Sequence, residues 1–255
     1  MIDRNDAPAG ELIGSESWSP DLRAALVRML AEHGRHAPGY TPASAPVAAF
    51  DWDETCIRGD ISETWLTYLA EASGEPLVEA YEEGCRRDKR AAYVRLAEDL
   101  VVGRTEHEVR VAVRAAFERG LREGRLAVRE AMRELIWALQ RSGWCVVVVT
   151  ASPTAVVRAV AQTYGIAASH VFGMDASVGS DGRYARPILE PVLFRDGKLE
   201  VLLRAVGKPP TFAAGDSDGD LRMLRSARHA LWVDRGIIAL TEEASRAGWW
   251  VRAAW

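Results

Sequence analysis

Four short polar clusters in this chain could share one chemistry. They are Phe50-Asp51-Trp52-Asp53-Glu54-Thr55, then Thr150-Ala151-Ser152, then Lys198 after Asp196-Gly197, and last Gly215-Asp216-Ser217-Asp218-Gly219-Asp220. If they converge, Asp51, Asp53, Asp216 and Asp220 bring several carboxylates together. Like charges that close repel strongly unless protons or a cation compensate. A hard cation is the natural partner: magnesium takes oxygen ligands and is often held by one or two carboxylates plus a substrate phosphate. Lys198 adds positive charge and Thr150 a hydroxyl, and amides that open a helix after Thr150 bind anions. Together they describe a phosphate cradle beside a carboxylate. Asp51, the first residue off its strand, is the nucleophile candidate; its attack on phosphorus gives an aspartyl-phosphate. Asp53 is placed to protonate the leaving oxygen and then to take a proton from the hydrolytic water. The cation and Lys198 stabilise charge on the transferring oxygens.

Each cluster ends a predicted strand or opens a predicted helix. Val47 to Phe50 is a short apolar strand. Cys145 to Val149 is a β-branched run of the kind buried on both faces. Val171 to Met174, Phe212 to Ala214 and Ala230 to Val233 are further strands. Helices are expected from Thr154 to about Tyr164, Lys198 to Val206 and Leu221 to Ser226, with a hairpin turn at Ser180-Asp181-Gly182. This alternation predicts an α/β fold with a doubly wound parallel sheet and right-handed crossovers. Strand ends in such a sheet converge on one edge.

From about Ile57 to Ser142 the pattern is nearly all helical, as in the spacing of Val109, Val113, Ala116 and Phe117, with Gly84, Gly103, Gly120 and Gly124 as punctuation. That stretch interrupts the sheet just after its first strand, so it lies over the ligand edge and can act as a lid. Gly59 and Gly143, near its two connections, are candidate hinges. Upstream, Leu22, Leu26, Met29 and Leu30 share one helix face, with Gly34 as the stop. The chain thus divides into an N-terminal helical extension (1–44), a core (45–57 and 143–255) and a helical cap (58–142).

Composition narrows the class. The 255 residues are 48% hydrophobic, enough for a full core and a smaller accessory domain. Net charge is −4 with Lys and Arg dispersed, which speaks against nucleic acid as a partner. Cys56, Cys85 and Cys145 are too sparse for a disulfide framework and fit a reducing cytosol. Residues 1–19 lack a signal-peptide pattern, and no apolar run reaches membrane-span length, so a cytoplasmic protein with no membrane partner is expected. Neither the histidines nor the cysteines have metal-ligand spacing, and zinc is not expected. Oligomeric state has no signature in the sequence.

Asp51-x-Asp53-x-Thr55 after an apolar strand resembles the first signature of the haloacid dehalogenase superfamily. Thr150 resembles the second, Lys198 the third, and Gly215-Asp216-x-x-x-Asp220 the fourth, in matching order from about Val47 to Val233. The resemblance implies a Rossmann-like core with an inserted helical cap, Asp51 as nucleophile and Asp53 as acid-base. It implies magnesium on Asp51, the backbone carbonyl of Asp53 and Asp216, with Asp220 positioning the metal shell or Lys198. Thr150, Ala151 and Lys198 would bind phosphate. The helical insert is similar to the cap of the phosphoserine phosphatase branch, and Thr150-Ala151-Ser152-Pro153 and Gly197-Lys198 point the same way. Arg58 to Glu63 resembles the loop that carries an acidic substrate-binding residue in phosphoserine and phosphorylcholine phosphatases, and Asp60 falls at that position. Two departures stand out: Glu54 where many members have Gly, and Gly219 where phosphoserine phosphatases typically carry Asn.

Each candidate has a plainer reading. Strand-end Asp residues, Asp220 among them, cap helices, and lysines are mostly surface residues. Asp60 and Glu63 suit a solvated helix start as well as a substrate ammonium or hydroxyl. Arg95 suits a surface salt bridge as well as a substrate carboxylate. Trp52 and Trp65 suit the core as well as an aromatic wall for a cationic head group. The combined expectation is a magnesium-dependent phosphatase acting on a small phosphorylated metabolite. The alternatives are a phosphotransferase or mutase with the same chemistry, and a non-catalytic phosphometabolite-binding protein. Dehalogenation is disfavoured, because that branch lacks the second aspartate.

Overall fold

A computed structural model describes residues 12–14, 18–193 and 195–253. The readings made for residues 1–11 and 15–17 fall outside the described residues. Helix α1 (Pro20–His33) starts at Ser19, whose side chain accepts from the Leu22 amide, and buries Leu22, Leu26, Met29 and Leu30. Gly34 ends it, its amide bonded to the Leu30 carbonyl at 2.8 Å. Strand β1 (Val47–Phe50) follows, with all residues buried.

The chain then turns into β2 (Ile57–Arg58) and four helices, α2 (Ile61–Ser73), α3 (Leu77–Arg87), α4 (Lys89–Val101) and α5 (Glu106–Glu123). It returns through β3 (Ala127–Val128), which pairs antiparallel with β2 and closes the base of the insert. Gly84 and Gly120 lie inside α3 and α5 rather than ending them. At Gly120 a Cβ would stand 2.8 Å from the Leu126 side chain, so close packing, not helix termination, accounts for this glycine.

Helix α6 (Glu130–Arg141) packs on β4 (Cys145–Pro153), whose Val146 to Val149 are all buried. A strand buried on both faces has no polar side to offer, hence the unbroken valine run. β4 continues past Val149 to Pro153, and α7 (Thr154–Val160) starts only there. The amides directly after Thr150 therefore belong to a strand end, not to the helix start expected. Strand β5 (Val171–Met174) and the hairpin β6 (Ala176–Val178) and β7 (Tyr184–Ile188) come next, the turn falling where Ser180-Asp181-Gly182 predicts it. Then follow α8 (Asp196–Val206), β8 (Phe212–Gly215), α9 (Leu221–Ser226), β9 (His229–Asp234), α10 (Ile238–Arg246) and β10 (Trp250–Ala253).

The main sheet has six strands in the order β10-β9-β8-β1-β4-β5. Every neighbouring pair in it is parallel. The chain runs outward from β1 through β4 to β5, then crosses back to β8 and on to β10, so the strand order reverses beside β1 and the ligand crevice of an open α/β sheet falls at its carboxyl end. Phe50 and Phe212 pack in the core beneath, ring centroids 5.5 Å apart. The hairpin leans on the insert: Gly103 donates its amide to the Tyr184 carbonyl, and the Tyr184 amide to Arg104, both at 2.8 Å. Arg186 pairs with Glu98 at 2.9 Å across the same junction. Among the described residues no helix is long and apolar enough to cross a membrane.

Candidate active site

Asp51 leaves β1 with its amide still bonded to the Ala214 carbonyl of β8 at 3.0 Å, which holds it at the centre of the crevice. Its neighbour Trp52 turns into the core, edge-on to Tyr164 with centroids 5.1 Å apart, and Asp53 comes back to the crevice side. Glu54 adopts φ 58°, the left-handed region that favours Gly. Its carboxylate is held by Arg129 at 3.2 Å and Arg235 at 3.6 Å. Those ion pairs help to offset the strain of a non-glycine residue there.

Lys198, near the start of α8, donates from Nζ to Asp51 and to Asp220, each at 2.6 Å. The other oxygen of Asp220 accepts from the Asp216 and Ser217 amides at 3.2 and 3.0 Å and from the Ser217 hydroxyl at 2.8 Å. Asp220 thus shapes the loop after β8 and orients the lysine. Asp216 accepts from the Thr55 hydroxyl at 2.7 Å and from Arg235 at 3.1 Å. Asp53 accepts from the Ile61 amide at 2.9 Å and the Ser152 hydroxyl at 2.7 Å, and Ser62 donates to Ser152 at 2.8 Å. Thr150 is buried and accepts from the Ser152 amide at 3.0 Å. Asp51, Asp53, Thr150, Ala151, Lys198 and Asp216 all line one cavity.

The charges in that cavity are strained. Burial, then the charge of Asp220, pushes the Asp51 carboxyl well above the ordinary carboxylate range, with Lys198 opposing. Burial and Asp220 likewise raise Asp216, against Thr55 and Arg235. Burial lifts Asp53 to about 6, opposed by its bonds from Ile61 and Ser152. Burial favours a neutral Lys198, but Asp220 and Asp51 outweigh it, and the net shift is upward. Carboxylate oxygens of Asp51, Asp216 and Asp220 all lie within 4.8 Å of one another. Three hard oxygen donors that repel one another fit a small divalent cation.

Asp60 lines the cavity and caps α2, accepting from the Glu63 amide at 2.9 Å. Glu63 instead accepts from the Tyr81 hydroxyl at 3.0 Å and faces an outer hollow between α2 and α3. Arg95 lies outside the cavity, exposed and bonded to Asp99 at 2.9 Å on its own helix. Trp65 is buried, with Arg104 5.6 Å from its ring, and Trp52 is fully buried. Both tryptophans pack rather than wall the cavity.

Three further lining residues were not among the sequence candidates: Tyr81 and Tyr93 from the insert, and Arg235 after β9. Arg235 was findable, because it follows a predicted strand at the same sheet edge as the four clusters. The tyrosines depend on how α3 and α4 pack. At the mouth, Asp218 meets Arg195 at 3.1 Å and Lys89 of α4 at 3.8 Å.

Residues 48–225 match the haloacid dehalogenase-like hydrolases. The chain belongs to that family and is a hydrolase with its α/β fold. A search of curated proteins finds no match. A conserved, functionally unknown protein from Anaerococcus prevotii DSM 20548 is similar with TM-score 0.77 at 18% identity, covering 94% of this chain and 93% of that one. A phosphoserine phosphohydrolase-like protein from Francisella tularensis subsp. tularensis SCHU S4 has TM-score 0.53 at 16% identity, covering 81% and 94%. A substrate-bound phosphoserine phosphatase complex has TM-score 0.54 at 17% identity, covering 79% and 97%. At these identities the likeness concerns the fold alone.

Proposed function

We propose that this hydrolase is a magnesium-dependent phosphatase that cleaves a small phosphomonoester through an aspartyl-phosphate on Asp51. The observation that carries the reading is the Asp51 carboxylate at the end of the central strand, 2.6 Å from Lys198 and beside a second, separately held carboxylate, Asp53. A phosphoserine phosphatase of similar fold is described as a phospho-aspartyl intermediate analogue, which supports the same chemistry here.

Asp51 attacks phosphorus while Asp53 gives its proton to the departing oxygen. A carboxyl at about 6 can be protonated for that step and ionised for the next, when it takes a proton from the attacking water. Ser152 and Ile61 keep it in place through both. Lys198, the Thr150 hydroxyl and the Ala151 amide bind the phosphoryl oxygens. Asp51, Asp216 and the backbone carbonyl of Asp53 would hold magnesium, with Asp220 beside them, and the ion supplies positive charge where negative charge builds up. Asp60 is the candidate contact for a substrate ammonium or hydroxyl, which favours an amino alcohol or amino acid phosphate. The insert within 58–142 serves as the cap that excludes water from the first step. The free thiols Cys56, Cys85 and Cys145 support a cytoplasmic setting.

The test is a panel of phosphate esters, from aryl phosphate to phosphorylated metabolites, incubated with magnesium. Inorganic phosphate should appear in step with substrate loss, and Asp51→Asn should lose nearly all turnover while keeping its fold. Turnover retained in that variant removes the covalent route. No turnover by the native chain on any ester removes the phosphatase.

A further inference from the structure

At the sheet edge opposite the active site, α1 and β9 bring together three side chains that the phosphatase reading does not use. Glu32 and His33 are the last two residues of α1, and His229 is the first of β9. The two imidazoles meet Nε2 to Nε2 at 3.2 Å, although the residues are 196 positions apart in sequence. The Glu32 carboxylate lies 4.0 Å from the same nitrogen of His33. All three donor atoms fall within 4.8 Å of one another.

We propose that Glu32, His33 and His229 form a site for a divalent transition ion, zinc foremost, that fastens α1 to β9. Ligands at zinc's usual bond length of about 2.0–2.1 Å, arranged tetrahedrally, stand about 3.3 Å apart. The two nitrogens already stand at nearly that separation. The Glu32 carboxylate beside the two rings supplies the third donor that such an ion needs. Two imidazoles and a carboxylate are a zinc donor set, with the fourth position left for water. Magnesium, which wants only oxygen, has no claim on it.

The rings are held ready. His33 stands edge-on to Trp144, centroids 6.0 Å apart at 87°, and His229 stacks on Trp250 at 5.3 Å and 21°. Burial first, then the neighbouring Arg228, holds His33 below the ordinary histidine range, against Glu32. Burial, His33 and Arg228 do the same for His229. Neutral imidazole is the form that binds metal. Arg228 disfavours a bound cation, and the charge of Glu32 opposes that field. The expectation drawn from sequence spacing, that zinc has no place here, missed this cluster because its ligands come from opposite ends of the chain.

The experiment uses the full chain, freed of metal and then kept in excess magnesium so that the acidic site is filled. Zinc is titrated by calorimetry, and the imidazole nitrogens are followed by long-range proton–nitrogen NMR. The expected result is one more zinc bound per native chain than per His33→Gln/His229→Gln chain, with the Nε2 signals of His33 and His229 moving on binding. Single His→Gln variants should weaken binding by about 100-fold, at least the upper end of what outer-shell changes cost. Zinc uptake equal in native and double-variant chains, or unmoved imidazole signals in the native chain, overturns the proposal. The NMR readout needs no variant, so a folding defect in the substituted chains cannot mask the answer. Because magnesium-dependent turnover is not read, the outcome is independent of the chemistry at Asp51.

Discussion

The ammonium of Lys198 sits midway in charge between two carboxylates, 2.6 Å from Asp51 and 2.6 Å from Asp220, and all three side chains are almost wholly buried. Removing one member of such a group leaves the others without compensation. Lys198→Met should therefore cost about 3–5 kcal/mol of stability in the metal-free chain, read by urea unfolding. In turnover the same change removes charge that faces the phosphoryl oxygens, and kcat should fall by about 10²–10³. A variant with native urea midpoint and native kcat would mean that the lysine is a bystander.

Asp53 allows a prediction whose sign can be worked out. Its folded-state value of about 6 lies above the ordinary 3.8, so the folded chain holds this proton more tightly than the unfolded chain. Stability from this group is then fully present below about pH 4 and is lost as pH rises towards 6. Asp53→Asn cannot ionise and escapes that loss. At pH 7.5 the metal-free variant should be about 1–3 kcal/mol more stable than the native chain, with the gap closing at pH 4. It should also lose most turnover of substrates with poor leaving groups. A native chain that gains on the variant as pH rises would contradict the assignment.

Magnesium should stabilise the folded chain through Asp51 and Asp216, because it relieves their repulsion with each other and with the nearby Asp220. At an ion concentration a hundredfold above Kd the gain is about 2.7 kcal/mol, visible as a raised Tm. Asp216→Asn should lose most of that rise, and chelation should remove turnover and the rise together. An equal rise in native and variant chains would place the ion elsewhere.

Gly59 has φ +88°, and a Cβ there would stand 2.4 Å from the Arg125 carbonyl and 2.9 Å from Leu126. Both the backbone angle and the space exclude a side chain. Gly59→Ala should cost about 2–4 kcal/mol by chemical denaturation, combining left-handed strain with overpacking. Gly143 differs in position. It lies beyond α6, a whole helix from the β2–β3 base, and its carbonyl accepts from the Tyr40 hydroxyl at 2.8 Å. Hydrogen exchange at Gly143 should therefore match the core strands, whereas the 124–129 return should exchange faster.

The parts of the site that could be read in advance are those joined covalently to a strand. Asp51 directly follows β1, Thr150 lies in β4, and Asp216 directly follows β8, so a correct strand assignment carries each to the crevice. Lys198 needed only the start of one helix. What could not be read depends on packing between distant elements. Tyr81 and Tyr93 reach the cavity only through the way α3 and α4 lie together. Helix α10 buries Ala244 alone, so it has little apolar periodicity to announce it. Arg95 suits a cap contact by sequence, yet the helix turns it towards Asp99.

The bonding of Tyr184 to Gly103 and Arg104 alters how the crevice can admit a molecule. A flap tied down only at its own two ends could swing freely. Here the flap is also tethered midway along, by an arm that grows from the sheet beneath it. That arm must travel too, pivoting where the Leu189 amide meets the Asp175 carbonyl at 2.7 Å, or its bonds to the flap must break at each cycle. Under the proposed role of the insert as a cap, entry and exit would depend on a three-point suspension, and loosening the arm should speed both without touching a single group that handles phosphate.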